Sequence, residues 1–588
     1  MKSVVKAMSG VRGMIGAYLI IILASAAAHG LLLINDGNYH DGLLLSLSLQ
    51  AQDWSIVHEI FDTSGLPLYG WFHRVFGAAS DFTLAYRLAA FILLATIGCL
   101  TAHLIRVWVG ARALEAAVGG VLVVVHPAWV VSLALVNVPY LAFLAIYLTG
   151  VALMIRWERS GSTFGLTRLA ALLCFGVSFH LESLLVVHLA VLLLMSFSGH
   201  ETRPSKSEII RYFTRRLDFV LLPFAWYFLS RQIWPRTGAY AEYNAIRVTP
   251  YALKRGVTMF LSYGLLELAR DALREILKSP VASALIFFGA AGATRGLVTG
   301  SRARVRGLLA AALVLFMAGV LPYLIARKWP SSDMVHLRHM LVLTFPLALL
   351  GVVFLRLIAR PANNRLEYLG LSTLALAAFG MSLVSVKYHQ MWYFTYLERA
   401  ALVQQLSRLP NATQYSMFWI DDQAVRMPPG VSSYVLGTAS YEWGALFTSV
   451  WHDERRIGYD SAVAERYNAR GLSQVFEDLP KFRNYRLRNL DLEGRQGIVK
   501  ATPGESLPSQ AALLDSATRM KLIWDYRAAA ARGESERARF LRGLVDVQLH
   551  DYVFDKSSID AKASVPRHGT MERVATPNDL ATRAAGGD

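Results

Sequence analysis

The sequence predicts an all-α polytopic membrane domain of about eleven transmembrane helices, followed by a smaller soluble α/β domain at the C-terminus. Three observations predict this fold class. Hydrophobic residues make up 54% of the 588 residues and charged residues only 17%, whereas a soluble domain carries about 25% charged residues. Long apolar runs recur through the first two thirds of the chain, and Lys and Arg lie between alternate runs. Hydropathy falls after residue 387.

Lys2 and Lys6 precede the first predicted span, residues 14–34, which is long enough to cross a bilayer about 30 Å thick. The positive-inside rule therefore places the N-terminus in the cytoplasm. A first outer loop follows at residues 35–80, and a second span is predicted at 82–105.

Two longer apolar stretches have basic residues at both ends, so each is predicted to be a helical hairpin. In residues 113–155 the outer turn is expected at Asn137–Pro139, because Pro disfavours continuation of a helix. In residues 165–197 it is expected at His180–Ser183. Single spans follow at 217–234, 280–298, 306–326, 339–358 and 366–386. The total is odd, so the C-terminal region is predicted to be extracytoplasmic.

The apolar runs together form one membrane domain, residues 1–387, with a second outer loop at 235–279. Helical periodicity in that loop predicts an amphipathic helix that rests on the membrane surface or on the next domain. Residues 388–555 are predicted to form the extracytoplasmic domain, with a candidate strand at 415–420. The polar tail, residues 556–588, is predicted to be disordered.

The net charge of +17 is consistent with basic cytoplasmic loops in a membrane protein. The basic residues are dispersed between apolar runs and form no stripe, which argues against nucleic-acid binding. Both cysteines, Cys99 and Cys174, lie inside apolar runs. Neither a disulfide framework nor a Cys-ligated zinc site is therefore expected.

A series of short motifs follows the first predicted helix. Asp36 and Asp41 come first, and Asp53-Trp54 comes next. The series continues with Pro67-Leu68-Tyr69, Phe76-Gly77 and Arg87-Leu88. This order resembles the membrane glycosyltransferases of the GT-C superfamily, which include the protein O-mannosyltransferases and the lipid A aminoarabinose transferases. A GT-C-like fold is what the resemblance implies for the membrane domain.

A second match lies at Arg338-His339, where members of that superfamily have an Arg-aromatic pair at the outer end of a late helix. Three positions depart from the pattern. Gly37 stands where an acidic residue is common, Leu66 stands where a Pro is frequent, and Asn137 stands where some members have a second acidic residue.

The resemblance implies transfer of a sugar from a polyprenyl-phosphate donor to a glycan, lipid or protein acceptor outside the cytoplasm. The sequence has no recognisable eukaryotic retention signal, so a bacterial inner (plasma) membrane is the expected location. Such a reaction requires a carboxylate that accepts a proton from the acceptor hydroxyl. Asp36 is the predicted base, with Asp41 as the alternative. Arg87, Arg338 and His339 are predicted to hold the lipid phosphate. No cofactor is expected.

Further candidates for substrate binding lie in the first loop and in the second hairpin. The aromatic residues of Tyr69–Trp71 are predicted to line a substrate groove, although aromatics also anchor proteins at membrane interfaces. His180 and Glu182 are predicted to contact substrate. Together with His336 or His339 they could instead hold a divalent metal, or they could only satisfy a helix turn.

Two other functions remain open from the sequence. A transporter or flippase for a lipid-linked glycan would share the membrane domain, but that class usually has internal repeats and ionisable residues at mid-membrane. The candidate residues here cluster at the predicted outer ends of helices. A non-catalytic assembly protein that keeps the fold is the third hypothesis.

Overall fold

α-Helices form nearly all of the structure up to residue 406. The computed structural model describes residues 2–160, 165–197, 205–237, 240–241, 245–246, 248–292, 303–331, 334–358 and 364–406, with short pieces at 417–422, 442–443, 445–447, 457–460, 496–503 and 552–554. The helices are α1 (Lys2–His29), α2 (Asp41–Gln50), α3 (Trp54–Thr63), α4 (Pro67–Gly77), α5 (Phe82–Val109), α6 (Ala113–Val124), α7 (Val138–Ser160), α8 (Leu166–Ser178), α9 (Ser183–Phe197), α10 (Lys206–Thr214), α11 (Leu217–Ile233), α12 (Pro250–Leu261), α13 (Glu267–Lys278), α14 (Pro280–Gly292), α15 (Ala303–Ile325), α16 (Thr344–Ile358) and α17 (Asn364–Leu406).

Within the described residues, six helical segments are long and apolar enough to cross a membrane. They are Gly13–Ile34, Phe82–Val109, Leu135–Ser160, Val305–Ile325, Met334–Ile358 and Tyr368–Tyr393. A pair of helices bent by 50°, Ala113–Val124 and Pro127–Leu133, makes a seventh if the pair is one span. The four remaining predicted spans coincide with the shorter helices α8, α9, α11 and α14. The predicted total of about eleven spans therefore stays a prediction.

The second predicted hairpin turns between α8 and α9, where the sequence indicates it. In the first predicted hairpin, the chain is not α-helical from residue 125 to residue 137, a much longer interruption than one turn at a Pro requires. Between α6 and α7 the chain forms two 3-10 turns, Pro127–Leu133 and Leu135–Asn137. The His126 Nδ1 atom accepts a hydrogen bond from the Ala128 amide at 3.2 Å, and Pro127 prevents α6 from continuing. This buried, non-helical segment carries backbone carbonyls that need partners inside the protein.

Arg87 of α5 supplies some of those partners. The side chain is fully buried. Its Nη1 atom donates to the carbonyl oxygens of Leu133 at 2.6 Å and Ser132 at 3.3 Å. Its Nε atom donates to the Asn35 carbonyl at 3.0 Å, and Nη2 donates to the Gly37 carbonyl at 2.6 Å. One planar guanidinium group therefore ties the start of the first outer loop to the break between α6 and α7.

Close packing leaves little room for a side chain at Gly37. A Cβ atom at this position would lie 2.5 Å from the Tyr39 hydroxyl and 2.9 Å from the Tyr396 ring. Asn35 stabilises the same turn, because its Oδ1 atom accepts hydrogen bonds from the Gly37 amide at 3.0 Å and the Tyr39 hydroxyl at 2.8 Å. No side chain larger than hydrogen fits there without displacing an aromatic ring.

The rest of the first outer loop folds into three helices, α2 to α4. Asp53 caps α3: its Oδ1 atom accepts hydrogen bonds from the Ser55 hydroxyl at 2.6 Å and from the Ile56 amide at 3.4 Å. Gly77, at the end of α4, lies against the Trp54 ring, which a Cβ atom there would approach to 3.3 Å. Asp53-Trp54 and Gly77 of the motif series therefore stabilise the loop itself.

A buried ion pair joins α6 to α16 on the side predicted to face the cytoplasm. The Arg356 guanidinium donates to both carboxylate oxygens of Glu115, at 2.9 and 3.2 Å. Glu115 also accepts a hydrogen bond from the Arg112 amide at the start of α6. The charges of Arg356 and Glu115 therefore compensate each other inside the packed helices, as the burial of an ion pair requires.

The amphipathic helix predicted in the second outer loop is present as α12 and α13, which are joined by a π-helical turn at Ser262–Leu266. It packs against α17. The Tyr388 hydroxyl donates to the Asp271 carboxylate at 3.0 Å, and Lys387 lies 2.9 Å from Glu275. Asp271 falls on the polar face in the sequence pattern but is buried, because α17 covers it. Since α17 continues past residue 387, no helix ends at the predicted domain boundary.

Four short strands lie beyond α17: β1 (Met417–Asp422), β2 (Ile457–Asp460), β3 (Gln496–Pro503) and β4 (Tyr552–Phe554). They pair in the order β2-β1-β3-β4, with β1 parallel to β2 and β3 and with β4 antiparallel to β3. β1 overlaps the candidate strand at 415–420. Most of residues 388–555 and all of the tail 556–588 lie outside the described residues, so the α/β domain stays a prediction.

Arg87→Lys is expected to lower the free energy of unfolding by about 2–4 kcal/mol, because one ammonium group cannot donate to carbonyls from both segments. Thermal unfolding of the purified protein, followed by intrinsic fluorescence, measures the change. The control is Arg106→Lys at the other end of α5, which is expected to change stability by about 0.5 kcal/mol or less. Equal melting temperatures for the two variants would contradict the structural role of Arg87.

Candidate functional site

A cavity of about 530 Å³ lies between the first outer loop, α7, the turn between α8 and α9, α11, and the segment that joins α15 to α16. Its volume is within the range of about 300–1,000 Å³ usual for small-molecule sites. Six residues predicted from the sequence line it: Asp41, Tyr69, His180, Glu182, Arg338 and His339. They come from four parts of the chain, and tertiary packing brings them together.

Three predicted site residues do not line this cavity. Asp36 is half-buried in the turn before α2, and the Arg87 hydrogen bonds described above go to backbone carbonyls. Trp71 is 53% exposed, and its ring contacts the His58 ring on the outer face of α4. Residues two apart on a helix point to different sides, so Tyr69 faces inward where Trp71 faces outward.

Asp41 is the first residue of α2, and the backbone on both sides of it is constrained. His40 has a φ of 51°, in the left-handed region that non-glycine residues rarely adopt. At Gly42 a Cβ atom would lie only 2.8 Å from the Leu135 amide nitrogen, so α2 approaches the second 3-10 turn closely. The Asp41 carboxylate has no hydrogen bond or ion pair with any residue that the structure describes. It is thus available to a ligand in the cavity.

Cationic side chains also line the cavity. Arg236 forms an ion pair with Glu182, and Arg338 lies on the 3-10 segment that leads into α16. Lys328 lies on the loop between α15 and α16. Burial, followed by the nearby Arg338 and Arg236, lowers the pKa of Lys328 to about 7, and Glu182 opposes this shift. Lys328 therefore sits within electrostatic reach of both arginines.

Arg231, Arg236 and Lys328 line the cavity but are not among the residues predicted from the sequence. Arg236 and Lys328 fall on segments predicted to face away from the cytoplasm, and Arg231 lies at the outer end of the predicted span 217–234. The positive-inside rule makes Lys and Arg less frequent on that side, so cations there need another explanation. Cationic residues on the side where the positive-inside rule makes them infrequent are therefore the sequence signal that could have identified these three.

Apolar side chains form the remaining wall of the cavity. They come from α9 and α11, and include Leu185, Leu189, Phe224 and Phe228. Phe224 is 48% exposed and Phe228 is 66% exposed, so this wall reaches the outer surface of the helices. The cavity is therefore amphipathic, with charged groups inside and an apolar side that opens between helices.

The histidines in and near the cavity make their contacts with other groups as well as with one another. The His339 ring is buried and packs against Tyr323 at 4.9 Å, and the His336 ring lies 5.8 Å from it. His180 interacts through Nδ1 with the Val177 carbonyl at 3.2 Å, so one of its nitrogens satisfies the helix turn. In the described part of the chain, no three His, Cys, Asp or Glu side chains are grouped to hold a metal ion.

Comparison of the chain with protein-family models, with curated proteins and with solved structures finds no match. No related protein therefore supplies a function for the cavity, and its own lining residues are the basis for proposing one.

Proposed function

We propose that this protein is a membrane glycosyltransferase that moves a sugar from a polyprenyl-phosphate donor to a glycan, lipid or protein acceptor outside the cytoplasm. One observation carries the proposal. A single cavity combines a cluster of cations, a carboxylate that has no partner among the described residues and an apolar wall that opens at the surface of the helices. A lipid-linked sugar phosphate has the complementary parts: an anionic phosphate, a polar sugar and a long apolar chain.

The cations support binding of the phosphate. Arg231, Arg236, Lys328 and Arg338 line the cavity together with two carboxylates, Asp41 and Glu182. The excess of positive charge favours an anion, and the Arg side chains can bind phosphate oxygens in a bidentate manner. The pKa of Lys328 is lowered mainly by burial and also by Arg338 and Arg236, so these cations lie within electrostatic reach of one another.

The apolar wall supports binding of the lipid. A free phosphate or a nucleotide would not need exposed aromatic side chains such as Phe224 and Phe228 beside the cations. A polyprenyl chain would leave the cavity between α9 and α11 and continue into the hydrocarbon region of the membrane. This arrangement holds the phosphate at the headgroup level while the chain stays in an apolar environment.

Asp41 is the base that the geometry favours. In the transfer step the Asp41 carboxylate takes the proton of the acceptor hydroxyl as that oxygen forms a bond to the anomeric carbon. The bond from the anomeric carbon to the phosphate oxygen breaks, and its electron pair stays on the phosphate. Arg338 and Lys328 would stabilise that leaving charge. Asp36 is the weaker candidate because it does not line the cavity.

A flippase for a lipid-linked glycan would also use cations and an apolar wall, and an assembly protein could keep both without chemistry. Neither function requires a carboxylate at the polar end of the cavity. The Asp41 side chain, held there by the close contact of Gly42 with Leu135, therefore favours transfer.

Asp41→Asn is expected to reduce transfer by about 10²-fold or more, because the amide keeps the size of the carboxylate but cannot accept a proton at neutral pH. Envelope glycans of a deletion strain complemented with each variant, quantified by mass spectrometry, measure the effect. Immunoblots of the membrane fraction show that the variants are inserted equally. Asp36→Asn is the matched control and is expected to lose less activity. Normal glycans with Asp41→Asn would refute Asp41 as the base.

Arg338→Ala is expected to weaken binding of polyprenyl phosphate by about tenfold or more, the usual effect of losing a hydrogen bond between charged groups. Binding to the purified protein in lipid nanodiscs measures the affinity. Arg74→Ala is the control, since Arg74 lies over the exposed Trp71 ring, away from the cavity. If both variants bind the lipid as the wild type does, Arg338 does not contact the phosphate.

Binding of a polyprenyl phosphodiester is expected to weaken as pH rises from 6 to 8. Lys328, whose pKa is about 7, is mostly protonated at the lower pH and mostly neutral at the higher one. Neutral Lys328 no longer attracts the phosphate, and the affinity falls by up to about tenfold. A diester is the suitable probe because it does not itself titrate in this range. Lys328→Arg should abolish the pH dependence, and an unchanged profile in that variant would exclude Lys328.

A further inference from the structure

Among the residues that the structure describes, the cavity lining includes buried polar groups that have no partner. Asn137, Tyr69 and His180 are 1%, 2% and 4% exposed, and all three line the cavity. Within the residues that the structure describes, Asn137 Oδ1, the Tyr69 hydroxyl and His180 Nε2 are buried without a hydrogen-bond partner. Buried polar atoms without partners cost free energy, so they need an explanation.

The orientation of the Asn137 amide is fixed by its other end. Its Nδ2 atom donates a hydrogen bond to the Val131 carbonyl at 2.8 Å. A flipped amide would place two oxygens against each other, so Oδ1 must be the free end. Asn137 therefore presents only a hydrogen-bond acceptor to the cavity.

The free nitrogen of His180 is also an acceptor. Burial lowers the pKa of His180 to about 4, so the ring is neutral at pH 7 and carries a single proton. The contact of Nδ1 with the Val177 carbonyl, at 3.2 Å, requires that proton to be on Nδ1. Nε2 is left with a lone pair.

Tyr69 contributes a hydroxyl group. Burial raises the pKa of Tyr69 well above its usual value, so the group stays neutral and keeps its proton. The ring is held by Tyr140, at a centroid distance of 5.7 Å, and by Phe143, at 5.0 Å. Phe143 in turn stacks on the His180 ring at 5.6 Å. These contacts place the hydroxyl and the imidazole on the same side of α7, the helix that begins directly after Asn137.

We infer that Asn137, Tyr69 and His180, together with Asp41, form a subsite that binds the hydroxyl groups of an uncharged sugar on the donor lipid. We call these four residues the hydroxyl end of the cavity. Three of them offer acceptors and only Tyr69 offers a donor. A ligand must therefore bring its own donors, and sugar hydroxyls do so. A phosphate or carboxylate has only lone pairs to offer and would be repelled.

This inference rests on the proposed function and divides the cavity between the two parts of one ligand. The cationic residues take the phosphate, which accepts hydrogen bonds. The hydroxyl end takes the sugar, which donates them. A neutral hexose is thus selected over an acidic sugar, because a uronate carboxylate would meet Asp41 and the lone pairs of Asn137 and His180. A ligand that leaves these buried acceptors without a donor binds more weakly, and this loss of affinity is how such a site rejects the wrong analogue.

Tyr69→Phe tests the subsite with little risk to folding, because it removes only a hydroxyl that lacks a partner in the described structure. Tyr147→Phe is the matched control. Tyr147 is also 2% exposed, and its hydroxyl is likewise without a partner among the described residues. It lines a separate apolar cavity of about 80 Å³ between α5, α7, α9 and α16. Both variants are expected to melt at or above the wild-type temperature.

The readout is the affinity of the purified protein in nanodiscs for four diesters of equal polyprenyl length. Polyprenyl methyl phosphate carries the phosphate charge without a sugar, and the others carry glucose, galactose or glucuronate. We expect the wild type to bind at least one neutral hexose diester more tightly than the methyl diester, and the glucuronate diester no more tightly. Tyr69→Phe should lose about threefold to tenfold for that hexose diester and keep its affinity for the methyl diester. Tyr147→Phe should keep both.

The other possible results would refute either the subsite alone or the subsite together with the proposed function. If the wild type binds the methyl diester but gains nothing from any sugar, the hydroxyl end is refuted and the proposed phosphate site stands. An unchanged hexose preference in Tyr69→Phe, or a preference for glucuronate, also refutes the subsite. If the wild type binds none of the four diesters, the proposed function is refuted and the subsite with it.

Discussion

The hydrogen bonds of Arg87 are the interaction on which the rest of the structure depends. Two segments that are not α-helical, the turn after α1 and the break between α6 and α7, lie side by side in an apolar environment. Their carbonyls would otherwise lack donors. One rigid guanidinium group donates to both segments and fixes their relative position. Because Asp41 follows the first segment and Asn137 ends the second, Arg87 indirectly sets the polar end of the cavity.

The same constraint explains the glycines of this region. Gly37 fits between two tyrosine rings, and Gly42 allows α2 to approach the Leu135 backbone. Both positions are decided by contacts that are distant in the sequence. The loop is thus a packed part of the helical domain, and its carboxylate at Asp41 is held in place by backbone contacts on both sides.

Charge is distributed differently at the two ends of the helical domain. At the end predicted to face the cytoplasm, the Arg356 guanidinium is neutralised by Glu115 within the packing. In the cavity, four cations and two carboxylates are among the described lining residues, and Arg236 forms an ion pair with Glu182. The first site is a single ion pair inside the helical packing, whereas the second brings several cations together around a cavity.

The sequence alone predicts the helical membrane class, the turn at His180–Ser183 and six residues that line the cavity, because hydropathy, Pro positions and charge act locally. It favoured Asp36 over Asp41 and did not separate Tyr69 from Trp71, whereas in the structure Asp41 and Tyr69 line the cavity and Asp36 and Trp71 do not. Those outcomes depend on which face of a helix is covered and on which chain segments meet. Tertiary structure alone decided them, since burial and charge proximity are properties of neighbours that are far apart in the sequence.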